Sequence, residues 1–447
     1  MSADEVEGAV RRVEKQRPNL GMAVQAAADA LTAGEGTEMI HQAALQQFLW
    51  WFLPRKHPED EWRVLADAAA ELLDELGMRR VADVARSART AEVLGAWSGR
   101  PDLGAAAFRA AHGASGVEPP DTPGLAWGSF MGLDESNALD TVERALDDAI
   151  AAGNLVPGVA GWRAKAASIT EAALTRPLDL PPGQTLAGLV TTERIGTWID
   201  SARHPVHQEW RSSVGNRLLN RVEPPADPVD AVRPMHWLLE LGAAQGGAEL
   251  TQSNYLARAS VVAAVERFGW WDWPKPPRSE SDVHQLSVLR DAANRLRLTR
   301  RRGRHLYVTA RGKELLQNPA RLWEEVSTET EDGEDFTHMV TELVSLLLLR
   351  GRVKQRKLVA EVSPILTTQG WSTSGGPITV NHVSSAVWRP LRWWRIFNAL
   401  DEDESKWEYG TGRELTPHTV ALTGDGERMV LAYLRSRAAG PRTRMYK

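Results

Sequence analysis

The chain has 447 residues, 43% of them hydrophobic and 25% charged, with no cysteine and a net charge of −5. That balance is ordinary for a globular protein, and it excludes disulfides, thiolate metal sites and cysteine nucleophiles. No apolar run reaches the ~18 residues of a membrane span, so no membrane partner is expected. The start, MSADEVEGAVRR, lacks the apolar core of a signal peptide, which makes a cytoplasmic location the expectation.

The charge is uneven. Residues 1–228 carry a net −10 and residues 229–447 a net +5, which suggests a different partner for each half. Proline-rich stretches at 116–124, 175–184 and 221–230 mark breaks, and STETEDGED (327–335) reads as an acidic, flexible connector. The expected division is a helical domain over 1–115, a second helical region over 116–222, and two further domains over 229–326 and 336–438.

In chain order, residues 39–53 (MIHQAALQQFLWWFL) read as a buried helix stopped by Pro54. Trp50 and Trp51, beside Arg55 and Lys56, are either core or a partner surface, with core favoured. Residues 61–77 place Val64, Leu65, Ala68, Leu72 and Leu76 at helical spacing, with Gly77 as the stop. Residues 136–155 repeat the pattern, with Asp134 as N-cap and Gly153 as terminator. With no strand alternation before position 221, this half reads as all-α. It suits a scaffold or self-association module better than a ligand sensor.

From 229 onward, helices alternate with short strand pairs. Helices are expected over 231–245, 251–269 and 281–298, with Ser281 as the N-cap of the third. A hairpin then turns at Gly303 within LTRRRGRHLYVTARGKELL, and Thr309 caps the next helix. After the acidic connector, helices are expected over 336–349, 353–369 and 378–388, with a break at Pro390. An acidic tip at 401–404 and strands around 407–410 and 419–423 follow, then a closing helix over 424–438. Thr309-x-x-Gly312 and Thr423-x-x-Gly426 each join an apolar strand end to a helix. Two segments of roughly 100 residues sharing that order point to an internal duplication.

Three helices, a β-hairpin and a strand–Thr-x-x-Gly–helix exit resemble the winged helix-turn-helix fold, here in tandem. LTQSNYL followed by LRLTRRRGRHLYVTARGKELLQNPARLW is similar to a segment recurring in an uncharacterised multidomain family of high-GC bacteria. QQFLWWFLPRK and DELGMRRVADVARSARTAEVLGAW are similar to stretches of the same proteins. The fold class expected is therefore mainly α, a helical N-terminal half followed by two winged-helix-like domains.

The resemblance implies that the third helix of such a unit enters a DNA groove while the hairpin touches the backbone. In the first unit Leu286, Leu289, Ala293 and Leu296 share a core face. His284, Ser287, Asp291, Asn294 and Arg295 lie opposite. Between Arg290 and Lys313 there are nine basic residues and one acid, and Arg300, Arg301, Arg302 and Arg304 surround the turn. Cations placed on phosphates release counterions, so Arg300, Arg301, Arg302 and Arg304 are the candidate backbone contacts. Asn294, Arg295, Ser287 and His284 are the candidates nearer the bases. In the second unit KQRK (354–357) and WRPLRWWR (388–395) offer basic and stacking groups, but Trp394 falls in register with Val387 and Leu391 as core.

No P-loop, dinucleotide fingerprint, H-E-x-x-H or nucleophile elbow occurs, and GSFMG (128–132) does not fit the last of these. His204 and His207 read as surface histidines. Paired acids such as Asp147–Asp148 and Glu324–Glu325 read as helix faces. The reading is a non-enzymatic DNA-associated protein, of the transcription-regulator kind, without cofactor or metal. It binds duplex DNA through the basic hairpin, with a protein partner or self-association through the helical half. The alternative is a protein-interaction scaffold whose winged-helix units bind other proteins.

Overall fold

The computed structural model describes residues 3–32, 36–179, 182–271, 273–373, 376–403, 406–407, 414–416 and 418–442. They are mainly helical, with only short strands. The chain divides into two compact units, one of residues 1–193 with 441–447, the other of residues 194–440.

The N-terminal unit is built from helices that bury apolar stripes. Helices Ala3–Gln16, Gly21–Thr32 and Trp62–Glu75 enclose Val6, Val10, Val13, Val24 and Leu72. Leu45, Leu49, Trp50, Leu65, Ala69 and Trp97 form a second core. A third core joins Val142 and Leu146 of helix Leu133–Ala151 to Leu174 and Val190.

Several expectations here need correction. Pro54 does not end its helix. The stretch Phe48–Phe52 widens into a π-turn, and helix Leu53–Lys56 continues with Pro54 in its first turn. Proline has no N–H for the Trp50 carbonyl four residues back. That carbonyl instead accepts the Trp97 indole N–H at 3.0 Å, while the Trp50 indole donates to Thr90 Oγ1 at 2.9 Å. Trp50 is core and Trp51 is half-buried, with the Arg55 guanidinium 4.5 Å above its ring. Val64 is exposed, at the edge of the stripe formed by Leu65, Ala68 and Leu72. The N-cap of helix Leu133–Ala151 is Gly132, not Asp134. The free amides of Asp134 and Glu135 donate to the Glu193 carboxylate at 3.0 and 3.2 Å, an anion suited to a helix N-terminus.

The C-terminal unit shares one core running from Ile195 to Ala439. Its first segment runs through helix Arg233–Ala243, strand Ala248–Glu249, helices Arg258–Phe268 and His284–Arg295, strands Thr299–Arg302 and His305–Val308, and helix Ala310–Leu316. Its second runs through helix Asp335–Leu348, strand Val353–Lys354, helices Gln355–Thr368 and Val380–Ile396, strands Leu400–Asp403 and Thr419–Leu422, and helix Gly424–Ala439. In each, the late strand sits between the early strand and the middle one, antiparallel to both.

The local joints also match. Arg297 and Asn398 take the left-handed conformation (φ +57° and +53°) after the third helix. Thr309 Oγ1 accepts the Gly312 N–H and Thr423 Oγ1 the Gly426 N–H, each at 3.0 Å. A Cβ on Gly312 would overlap the Leu298 carbonyl, and one on Gly426 the Ala399 carbonyl, so only glycine lets helix and strand approach this closely.

The second helix of the first segment starts at Arg258, later than expected, because 248–257 form a strand and a turn through Asn254 (φ +63°). Ser279, not Ser281, caps the turn before the third helix, closing a capping box with Asp282. Pro390 lies inside helix Val380–Ile396 without ending it. Of the expected acidic tip at 401–404, Glu404 lies outside the described residues, as do 408–410.

Candidate nucleic-acid interface

The hairpin pairs Thr299 with Val308, Arg300 with Tyr307, Arg301 with Leu306 and Arg302 with His305, turning at Gly303 (φ +59°). Side chains alternate across a strand. Thr299, Leu306 and Val308 are buried, so Arg301 falls on the inward face and Arg300 and Arg302 on the outward one beside Tyr307 and His305. Arg301 borders a notch of about 200 Å³ with Asp291 and Asn294 of helix His284–Arg295. Arg300, Arg301 and Arg302 are exposed and make no ion pair among the described residues. Arg304 is exposed, and its Nε–H reaches the Leu250 carbonyl at 3.3 Å.

The helix-borne candidates are less free. Arg295 donates to the carbonyls of Thr330 (2.7 Å) and Glu331 (3.0 Å) and lies 3.4 Å from the Glu329 carboxylate. His284 lies 3.5 Å from Glu331, and Ser287 Oγ donates to the Glu280 carbonyl at 3.4 Å. Arg290 ties the Asn254 carbonyl (2.7 Å) to the buried Glu280 (2.8 Å), whose carboxyl burial pushes upward. Asn294 is exposed and its side chain has no partner among the described residues.

The acidic connector is therefore not a loose tether. Thr330 is buried, and Glu331 receives two hydrogen bonds from Arg392 at 3.1 and 2.7 Å. Asp332 is engaged by Arg389 and by the Thr337 hydroxyl. The arginines of WRPLRWWR are consumed in this way, Arg395 pairing with Glu402 at 2.7 Å. Trp393 and Trp394 are core, and Trp388 lies under the Arg395 guanidinium at 5.4 Å, so this stretch offers no stacking platform. Arg352 likewise pairs with Asp401 and Asp403.

His207 is a second correction. His204 is half-buried and caps its own helix, but His207 is fully buried, and its Nε2–H donates to Glu342 at 2.7 Å. The three-residue spacing hides this, because His204 precedes helix Pro205–Leu218 as its cap while His207 lies on the buried side with Trp210, Val214 and Leu218.

Sequence reasoning passed over a polar cluster in the N-terminal unit. His41 Nε2–H donates to Asp140 at 2.8 Å, Asp147 pairs with Arg80, and Glu143 lies 3.5 Å from Gln47 Nε2. His41, Asp140 and Glu143 bring ligand atoms within 4.8 Å of one another. A metal is poorly served there, since His41 Nδ1 accepts the Ala44 amide, leaving the proton on Nε2, and Arg144 pairs with Asp140. The available signal was Glu143 itself, which falls on the Leu139–Leu146–Ile150 stripe of its helix.

A family model described as the Y4jL N-terminal domain matches residues 229–321, the segment carrying the hairpin. That is a likeness of about a fifth of the chain. No curated protein and no solved structure matches. Among the described residues, no helix is long and apolar enough to cross a membrane.

Proposed function

We propose that this chain is a non-enzymatic DNA-associated protein, of the transcription-regulator kind. Its C-terminal unit holds two winged-helix-like segments in tandem, and it grips duplex backbone through the first hairpin. The observation that carries the reading is local. Arg300, Arg301 and Arg302 are exposed and lack carboxylate partners, while Arg290, Arg295, Arg311, Arg321, Arg352, Arg389, Arg392 and Arg395 of the same unit are all paired. Free guanidiniums on a stiff hairpin lose little entropy on meeting phosphate. Asn294 is the side chain best placed to approach a base edge, and contact is led by the hairpin rather than by the helix.

The test is salt-dependent binding to nonspecific duplex DNA. Each phosphate contact contributes about 0.9 to the slope of log K against log salt, so the R300E/R301E/R302E variant should flatten it by ~2.7 and weaken binding severely at low salt. An unchanged slope and affinity would overturn the reading.

The second reading is a protein-interaction scaffold. It is favoured by one observation: helix His284–Arg295 packs against helix Val380–Ile396 and surrenders Arg295 and His284 to the connector. Under it, the charge-reversed variant keeps its weak DNA affinity and loses a protein partner instead.

A further inference from the structure

We propose that a cavity of the N-terminal unit is a binding site for a small organic cation, an ammonium or guanidinium group carried on an apolar body. The cavity is about 580 Å³, within the usual range for metabolite-sized ligands. It is lined by Trp127, Trp162, Met131 and Leu139 with Glu143, Glu118, Asp121 and His112 among them.

Three of its lining residues carry acceptor atoms with no described partner. Glu143 is 4% exposed, and its one described contact is Gln47 at 3.5 Å through Oε1, leaving Oε2 without a partner among the described residues. Glu118 stands at the rim with no described hydrogen bond. His112 is buried and neutral, held near 4 by desolvation, and its Nδ1 meets Gln46 Oε1 at 3.1 Å. The neutral ring then presents Nε2 as a lone-pair acceptor. A nearly buried carboxyl with one oxygen unpartnered costs free energy unless a donor supplies the missing bond, and a cation supplies both the bond and the charge.

The walls suit the same guest. Tryptophan faces attract cations, and the Trp162 ring already carries the Arg163 guanidinium at 4.5 Å. Arg163 is the one basic side chain among the lining residues, against the three acids Glu118, Asp121 and Glu143. Asp121 is engaged by the Trp127 backbone N–H at 2.9 Å, which leaves Glu143 and Glu118 as the anchors. Burial, then the neighbouring Glu118, pushes the Glu143 carboxyl up to about 8, so it holds its proton at neutral pH until a cation arrives. Binding at pH 7 should therefore expel close to one proton from the anchor.

The experiment is calorimetry of the full chain with tryptamine, agmatine and choline, and with uncharged 3-ethylindole, which is tryptamine without its ammonium group. At least one cation should bind with a dissociation constant below about 1 mM, and 3-ethylindole should bind at least ten-fold more weakly than tryptamine. E143Q should weaken the cation by about ten-fold or more and abolish the proton release measured across buffers of different ionisation enthalpy. E118Q, at the exposed rim and without consequence for folding, should weaken it several-fold. Failure of all three cations to bind by 1 mM, equal affinity for 3-ethylindole, or unchanged binding by E118Q and E143Q would each overturn the proposal.

Discussion

Replacing Glu342 by glutamine probes how the C-terminal unit is held together. Glu342 is 2% exposed and accepts N–H groups from His207 Nε2 (2.7 Å), Arg211 Nε (2.8 Å) and Trp198 Nε1 (3.2 Å). The Gln369 side-chain amide lies 3.2 Å from His207 Nδ1. Burial pushes the Glu342 carboxyl upward, yet the hydrogen bonds and charges of His207 and Arg211 bring it down from 4.5 to about 2. At 1.36 kcal/mol per unit that shift corresponds to roughly 3 kcal/mol of stability. Removing one partner of a buried ion pair costs about 3–5 kcal/mol, because the other charge is left buried, so the two routes agree. In a unit of this size each kcal/mol moves the melting temperature by ~2–4 °C, and E342Q should lower it by roughly 6–12 °C at pH 7. The folded value is depressed, so this stability is present above the unfolded value of 4.5 and fades as pH falls toward 2. The gap between wild type and E342Q, read by scanning calorimetry from pH 7 to pH 3, should therefore narrow on acidification. An E342Q unit within about 0.5 kcal/mol of wild type at pH 7, or a gap constant with pH, would refute the argument.

Other perturbations separate packing from charge. Gly312→Ala and Gly426→Ala should each cost about 1–3 kcal/mol in urea denaturation, since the new methyl meets a backbone carbonyl that is itself hydrogen-bonded. Gly424→Ala, which meets open space in the same helix as Gly426, should cost nothing. Glu331→Ala removes the bidentate partner of Arg392, and amide exchange over 329–333 should accelerate by about ten-fold or more if that pair pins the connector. In the N-terminal unit the raised Glu143 contributes stability that is complete below 4.5 and lost as pH rises through about 8. E143Q should therefore be the more stable form at pH 9, by a few kcal/mol, and no gain there would refute the burial account. His112, depressed to about 4, acts in the opposite direction, so the same unit should also weaken as pH falls from 6.5 toward 4.

Much of the architecture was legible in the residues. The apolar period of 61–77 and 136–155 gives helices, and Gly77 and Gly153, both at positive φ, end them where expected. Thr309-x-x-Gly312 and Thr423-x-x-Gly426 identify the two strand-to-helix joints, because a threonine cap and a close-approach glycine are local requirements. The exposure of Arg300, Arg301 and Arg302 also follows from their place beside a turn.

What the sequence could not determine is which charges find partners, since that depends on residues far apart in the chain. WRPLRWWR and RRRGR both read as basic on paper. In the fold, Arg389, Arg392 and Arg395 meet Asp332, Glu331 and Glu402, while Arg300, Arg301 and Arg302 meet no carboxylate among the described residues. In sequence Pro54 and Pro390 read as breaks because the lost hydrogen bond is local, whereas the compensation at Pro54 is not. For Pro54 it is an indole from Trp97, more than forty residues away. His207 and Glu143 show the same limit: helical spacing places each on an apolar face, but only tertiary packing gives His207 a buried carboxylate and leaves Glu143 one oxygen facing a cavity. Local backbone chemistry is written in neighbouring residues; the pairing of buried and surface charges is written only in the packed chain.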